Sequence, residues 1–222
     1  MEARLTNIDR GEMLRYLLWH GGAIPEEIDA ALGRGEERLR RAASPRAVWR
    51  VFDYRPGEAL SGTDFIPAGE ELRAFLEGCD QVILLAATLG AGPELKLRQL
   101  RVRNMSEALI LDAAGSAAIE NVCDNLCDDL AAAFAPRYLT DRFSPGYGDF
   151  PLSQQPYFFR LLDMERRLGV SLSESGLMIP QKTVTAVVGV SDRPREKRPT
   201  GCESCGLKER CVFRKEGKTC GR

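Results

Sequence analysis

The sequence of 222 residues has 44% hydrophobic and 28% charged residues and a formal net charge of −1, which is typical of a soluble globular protein. Its apolar runs are too short to span a bilayer, and charged residues interrupt every apolar run in residues 1–20, so we predict a cytoplasmic protein with neither a membrane span nor a signal peptide. Seven cysteines without an export signal favour reduced thiols or metal ligands over a disulfide framework.

The first 88 residues are predicted to form three helices and two strands. Asn7 or Asp9 can cap a helix that ends near residue 19, and Pro25 suits the first turn of a second helix. The predicted elements are helices that end near residues 19, 42 and 76 and strands at 47–54 and 81–88. His20 is the single histidine, and it is expected to cap the first helix. Because the sequence has only one histidine, a metal site that needs two histidines from this chain is excluded.

The longest helical pattern covers residues 104–134. Its predicted buried side consists of Leu109, Leu111, Ile119, Val122, Leu126, Leu130 and Phe134. Small residues at 115–118 keep the middle of the helix thin, so that another element can approach closely. Glu120 lies among them, where a carboxylate needs a partner or a place at the surface. Cys123 and Cys127 share its face, and core packing is favoured there because two further local metal ligands are missing.

The most informative stretch is the loop at residues 142–151, which combines two prolines, two glycines, three aromatic residues, an arginine and an aspartate. Pro145 fixes its own backbone angle and biases Ser144 away from helix, and the glycines allow positive φ or close backbone approach. Arg142 could hold a carboxylate with two parallel hydrogen bonds, and Tyr147 could stack on a ligand or donate to it. The alternative is a structural turn with an incidental surface arginine.

The remaining elements favour an α+β fold for residues 1–192. Ser153 is predicted to cap a helix that runs from residue 154 to residue 168, and Gly169 is predicted to end it. Two or three strands are predicted to follow, at residues 170–172, 177–179 and 183–190.

Residues 193–222 form a basic tail with a cysteine pattern. The tail holds ten Lys or Arg against four acidic residues, while the rest of the chain holds 21 against 28. Four cysteines with a first spacing of Cys-x-x-Cys predict a metal site, and these are Cys202, Cys205, Cys211 and Cys220. Their spacing fits zinc or an iron–sulfur cluster, and metal binding would supply the folding energy of so short a segment. The basic charge could also meet an acidic partner or nucleic acid.

The pattern Arg-x-x-x-Gly-Tyr at residues 142–147 resembles the S-adenosylmethionine-binding motif of the activation (reactivation) domain of cobalamin-dependent methionine synthase. The alanine-rich helix before the motif and the helix after it fit this family, as do the segments at residues 169–175 and 178–186. The resemblance covers residues 80–192 well and residues 1–79 poorly. It implies a fold of mixed helices around an antiparallel or mixed sheet.

The resemblance also implies roles for individual residues. The implied ligand-binding residues are Arg142, Ser144, Pro145, Gly146, Tyr147 and Glu120. Arg142 would hold the methionine carboxylate, and Ser144 would contribute backbone contacts near the adenosine or the amino group. Gly146 would permit close approach, Tyr147 would pack on the ligand, and Glu120 would face the amino group or the corrin edge. No counterpart of the family's acidic residue from its N-terminal segment is found in this sequence.

In the resembled family, S-adenosylmethionine and one electron restore methylcobalamin from inert cob(II)alamin. The chain lacks the homocysteine, folate and cobalamin modules of that family. It is therefore expected to act in trans in methionine biosynthesis, as an accessory part of a methyltransferase system. Its partner would be a corrinoid protein or the core of a methionine synthase without its own activation domain, with a flavodoxin or ferredoxin as electron donor.

Two other functions stay open at this point. The chain could be a metal-tail module, with iron–sulfur or zinc, that docks on a corrinoid partner and transfers electrons without methyl chemistry. Nucleic-acid binding is a third possibility, which the acidic body and the near absence of aromatic residues in the tail disfavour.

Overall fold

The computed structural model describes residues 2–19 and 22–194, which form an α+β fold as predicted. Its helices are α1 (Arg10–Tyr16), α2 (Glu26–Ala42), α3 (Glu70–Phe75), α4 (Gly92–Arg103), α5 (Met105–Phe134), α6 (Gln155–Leu162) and α7 (Met164–Leu168). Its strands are β1 (Arg46–Asp53), β2 (Gln81–Thr88), β3 (Tyr138–Leu139), β4 (Ser171–Leu172), β5 (Met178–Ile179) and β6 (Thr183–Ser191). No helix within these residues is long and apolar enough to cross a membrane.

An antiparallel sheet in the order β1-β2-β6-β3 separates two hydrophobic cores. Helices α1, α2, α4 and α5 cover one face, and α3, α6, α7 and the connecting loops cover the other. Strand β2 pairs with β1 and β6 over its full length and is buried on both faces. Because neighbouring residues of a strand point to opposite faces, Ile83 and Leu85 enter the first core and Val82 and Leu84 the second. This explains why its sequence is continuously apolar.

Helix α5 is the predicted long helix, and it is the main support of the first core. Asn104 caps it by accepting a hydrogen bond from the Glu107 N–H at 3.1 Å. The predicted burial of Leu109 is wrong, because its side chain is 56% exposed. The buried stripe runs through Ala108 and Leu111, and Leu109 lies about 100° around the helix from Ala108.

The helix predicted over residues 154–168 is broken into α6 and α7. Asp163 adopts a left-handed conformation with φ of 52° between them, which short polar residues tolerate best after glycine. Leu162 and Met164 are both fully buried, although a continuous helix would point them in directions about 200° apart. The break therefore allows both side chains to reach the second core.

Several smaller predictions have different outcomes. Ser153 does not cap α6, because it lies within the short 3-10 helix Leu152–Gln154, which leads directly into α6 without a capping side chain. Gly169 ends α7 with φ of 68°, as predicted.

Strand β3 was not predicted, since two residues give no readable pattern. His20 and the four tail cysteines lie outside the described residues.

Candidate functional site

The largest cavity near the predicted motif lies where β6 has an unpaired edge. Within the described part of the chain, β3 pairs with β6 only at residues 190–191 and Phe143 bridges to Val187, so residues 183–185 have a strand neighbour only in β2. The cavity has a volume of about 860 Å³. Its lining residues are Glu71, Glu120, Arg142, Phe143, Ser144, Pro145, Tyr147, Gly148, Leu152, Gln155, Gly176, Met178, Thr183, Val184 and Thr185.

The motif loop is held in place at both ends. Phe143 exchanges two backbone hydrogen bonds with Val187 of β6, at 2.9 and 2.8 Å. Phe150 is buried in the second core, and its carbonyl accepts a hydrogen bond from the Gly146 N–H at 2.8 Å. A loop fixed at both ends to the sheet and the core can present side chains to a ligand with little loss of entropy.

A tight turn at the centre of the loop explains its proline and glycine. The Tyr147 N–H donates to the Ser144 carbonyl at 3.1 Å, with Pro145 and Gly146 between them. Gly146 has φ of 93°, which fits the third residue of a type II turn. An added Cβ at Gly146 would lie only in ordinary contact with Leu152, at 3.8 Å, and Gly146 does not line the cavity. The backbone conformation of the turn, rather than close packing, therefore requires this glycine.

Arg142 joins the loop to helix α5 through two ion pairs. Its Nη2 lies 2.8 Å from Glu120 Oε2, and its Nη1 lies 2.9 Å from Asp124 Oδ1. Burial opposes the charge, but the Glu120 and Asp124 carboxylates raise the pKa of Arg142, so the guanidinium remains charged. The sequence predicted Arg142 and Glu120 as ligand residues but did not predict that they pair with each other or with Asp124.

Tyr147 and Asp149 point to different parts of the fold. Tyr147 is 69% exposed at the wall of the cavity, whereas Pro145, which also lines the cavity, is buried. Asp149 accepts hydrogen bonds from the N–H groups of Glu70 and Glu71, at 2.5 and 3.1 Å, and thereby caps α3. This contact brings Glu71, from the segment that the resemblance covers poorly, to the wall of the cavity.

Buried polar residues line the β6 side of the cavity, and the sequence analysis missed them. The Gln155 amide and the Thr185 hydroxyl form a hydrogen bond at 2.8 Å, and the Thr183 hydroxyl contacts Thr88 at 2.9 Å. Gln155, Thr183 and Thr185 are all buried. Threonines two residues apart in a predicted strand share one face, which was the available signal.

The two cysteines of α5 pack in the core beside the site, as predicted. Cys123 is fully buried and Cys127 is partly buried, with its Sγ 3.9 Å from Arg142 Nη1. Burial raises the pKa of the Cys123 thiol to about 12, so it stays protonated and is a poor metal ligand. No group of three or more metal-binding side chains occurs among residues 2–19 and 22–194.

Comparison with known proteins supports the predicted resemblance. Residues 122–196 match the family model for the activation domain of vitamin B12 dependent methionine synthase. The structure superimposes on the crystal structure of the MetH reactivation domain bound to AdoHcy with a TM-score of 0.64 and 15% identity, covering 99% of this chain and 86% of that chain. No curated protein sequence matches the chain significantly. The chain therefore has the fold of the MetH reactivation domain, and residues 122–196 carry the sequence pattern of the methionine synthase activation domain.

Proposed function

We propose that the chain binds S-adenosylmethionine in this cavity and supports reductive methylation of cob(II)alamin on a separate corrinoid protein. One observation carries this proposal: five of the six residues predicted to bind the ligand line a single cavity, although Glu120 is 22 residues distant from Arg142 in sequence. The cavity volume of about 860 Å³ is within the usual range for small-molecule sites. The MetH reactivation domain, which shares the fold, was crystallised bound to AdoHcy.

The Arg142–Glu120 pair suits the amino-acid end of the ligand. A guanidinium has five N–H groups, and the contacts with Glu120, Asp124 and Cys127 use three of them. Those that remain can donate to the ligand carboxylate, while Glu120 can accept from the ligand ammonium group. An arginine already paired with acidic side chains attracts a zwitterion better than it attracts an isolated anion.

The rest of the cavity offers contacts for the nucleoside. Tyr147 presents an exposed aromatic ring on which a planar base can stack. The Gln155–Thr185 pair and the backbone of the Ser144 turn add hydrogen-bonding groups to the lining. Leu152 and Met178 add apolar surface.

The chemistry requires placement rather than acid–base groups. S-adenosylmethionine supplies a methyl group already activated on a sulfonium, and a nucleophilic cob(I)alamin on the partner, formed with one electron from a flavodoxin or ferredoxin, would accept it. The protein has to orient the sulfonium toward the opening of the cavity and keep the ligand fixed by its two ends. We infer a partner such as a cytoplasmic methionine synthase without its own activation domain, and a role for the tail cysteines in holding iron–sulfur or zinc.

Calorimetry with S-adenosylmethionine tests the binding step. We expect Arg142→Ala to weaken binding about tenfold or more, because a charge-assisted contact to the carboxylate is lost. Arg142→Lys should recover only part of the affinity, since an ammonium cannot replace the planar fork. Arg160→Ala is the matched control, because Arg160 pairs with Asp64 and does not line the cavity.

Two results would contradict the proposal. Absence of binding to the wild-type protein would instead favour the metal-tail module that docks on a corrinoid partner without methyl chemistry. Equal affinity of the wild type and Arg142→Ala would show that the ligand binds elsewhere. The activity itself is tested by adding the chain to a methionine synthase without its activation domain, with a reductant and S-adenosylmethionine, and following the cobalamin absorption spectrum.

A further inference from the structure

Helix α4 exposes apolar side chains on the side that faces away from the core. Leu95 and Val102 are 56% and 90% exposed, and their spacing of seven residues places them on one side of the helix, opposite its buried residues. Met105 and Leu109 are also exposed and follow at the start of α5, after the single residue Asn104. Exposed apolar side chains that cluster in this way mark an interaction surface.

The same helix concentrates positive charge. It holds Lys96, Arg98, Arg101 and Arg103 against one acidic residue, Glu94, although residues 1–192 together hold 21 Lys or Arg against 28 acidic residues. Glu94 pairs with Arg98 at 2.5 Å. Within the described residues, Lys96, Arg101 and Arg103 have no ion pair. The apolar side chains of α4 are therefore accompanied by cations that the described part of the chain does not neutralise.

A cleft between α2 and α4 adds to this charge. Arg41 pairs with Glu37, whereas Arg34 has no ion pair among the described residues. Cations that share one cleft repel one another, so an acidic surface placed over the cleft and α4 would be attracted to it. The cleft has a volume of about 380 Å³, and its lining residues are Arg34, Glu37, Arg38, Arg41, Ala42 and Lys96.

This α4 surface, defined by Leu95, Lys96, Val102, Arg103 and Met105 together with the cleft, begins close to the ligand cavity.

The link between them is the segment that leads into β6. The Gln181 N–H donates a hydrogen bond to the Glu94 carboxylate in the first turn of α4, at 3.0 Å. Gln181 lies between Met178 and Thr183, which both line the cavity. Since a typical protein interface includes about 20–30 residues of each partner, a protein bound over the cavity can also contact α4.

We propose that the α4 surface is a docking site for the corrinoid partner, which contacts it with an acidic surface that has an apolar centre. The inference rests on the proposed function. Two separate chains lack the high effective concentration that a linker gives to domains of one chain, so an interface has to supply the affinity. The cations of α4 favour an acidic partner over a second copy of this chain, because a two-fold contact would bring the same cations together.

Biolayer interferometry tests the docking with the full chain, and the probe is a methionine synthase without its own activation domain. We expect the wild type to bind the probe about tenfold or more weakly at about 0.5 M salt than at about 0.05 M salt. Lys96→Glu combined with Arg103→Glu should weaken binding about tenfold or more, since two attractive charges become repulsive. Val102→Ser should weaken it about fivefold, because an apolar contact is lost.

Arg55→Glu combined with Arg167→Glu is the matched control, because it changes the net charge equally. Both residues are exposed and distant from α4 in sequence, since Arg55 follows β1 and Arg167 lies in α7. The control should bind the probe like the wild type. All variants should bind S-adenosylmethionine with wild-type affinity by calorimetry, which shows that they are folded and separates docking from ligand binding.

Several results would overturn the inference alone. These are unchanged binding of the probe by the α4 variants, equal weakening by the control, and a wild type that binds S-adenosylmethionine but not the probe. A wild-type dimer in sedimentation that Val102→Ser dissociates would assign the α4 surface to a second copy instead. A wild type that binds neither S-adenosylmethionine nor the probe would overturn the proposed function, and the inference with it.

Discussion

The two faces of the sheet are filled in different ways. The core beneath α1, α2, α4 and α5 consists of aliphatic side chains and alanines, and within residues 2–19 and 22–194 its only aromatic members, Trp49 and Phe134, are partly buried. The core beneath the loops and short helices is rich in buried aromatic residues: Phe52, Tyr54, Phe65, Phe75, Phe143, Phe150 and Phe158. Regular helices pack closely with small side chains, whereas irregular loops leave larger gaps that rings can fill. The motif loop belongs to the aromatic face through Phe143 and Phe150, so its order depends on that packing.

The largest expected effect comes from removing one large side chain on each face. Phe150→Ala should lower the free energy of unfolding by about 3–5 kcal/mol, and Leu39→Ala by about 2–5 kcal/mol, because both residues are buried. Only Phe150→Ala should also weaken S-adenosylmethionine binding, since the buried Phe150 ring anchors the end of the motif loop in the second core. Urea unfolding and calorimetry measure the two effects. Equal loss of affinity in both variants would show that the loop does not depend on its own core.

A glycine on each face gives a smaller contrast. Gly146→Ala should destabilise by about 1–2 kcal/mol, because the turn holds residue 146 at φ of 93°. Gly115→Ala in α5 should be close to neutral, because a gain in helix propensity of about 1 kcal/mol is offset by the tight contact of the new Cβ with the Lys182 side chain, at 3.0 Å. Asp112 and Ser116 hold the Lys182 amine and limit how far that side chain can move away. Thermal unfolding of both variants checks the difference, and similar melting temperatures would contradict it.

The smallest expected effect is a pH dependence of the aliphatic core. Burial raises the pKa of Cys123 from about 9 to about 12, so the unfolded chain loses this proton first as the pH rises. The contribution of the protonated thiol to the free energy of unfolding is fully present below pH 9 and decreases between pH 9 and pH 12. Near pH 9.5 the loss should be on the order of 1 kcal/mol. Urea unfolding of the wild type and Cys123→Ala at about pH 8 and about pH 9.5 should show a smaller change in the variant; parallel changes would exclude this origin.

The difference between regular elements and irregular loops also explains which parts of the fold could be predicted from the sequence. Strand β2 and helix α5 were predicted closely, because their periodic or continuous apolar patterns reflect burial directly. The site residues were predicted from a motif and its resemblance to a family, and five of the six line one cavity. Leu109 was misplaced because an apolar residue beside a buried stripe looks the same in sequence as one within it.

Contacts between distant segments could not be predicted from one sequence. Asp149 caps a helix that lies 79 residues earlier in the chain, and Asp124 pairs with an arginine 18 residues later. Each depends on where the fold places the motif loop beside a helix from a distant part of the chain, which no local pattern encodes. The break at Asp163 is set in the same way, by the need to bury Leu162 and Met164 against the same face.

The pair of backbone bonds between Phe143 and Val187 ties the motif to the middle of the central sheet. An amide at that position should exchange with deuterium only when the bend detaches or β6 opens. Hydrogen exchange of the Val187 amide can therefore report ligand binding. Slower exchange on addition of a nucleoside would show that the cavity beside the motif loop is occupied.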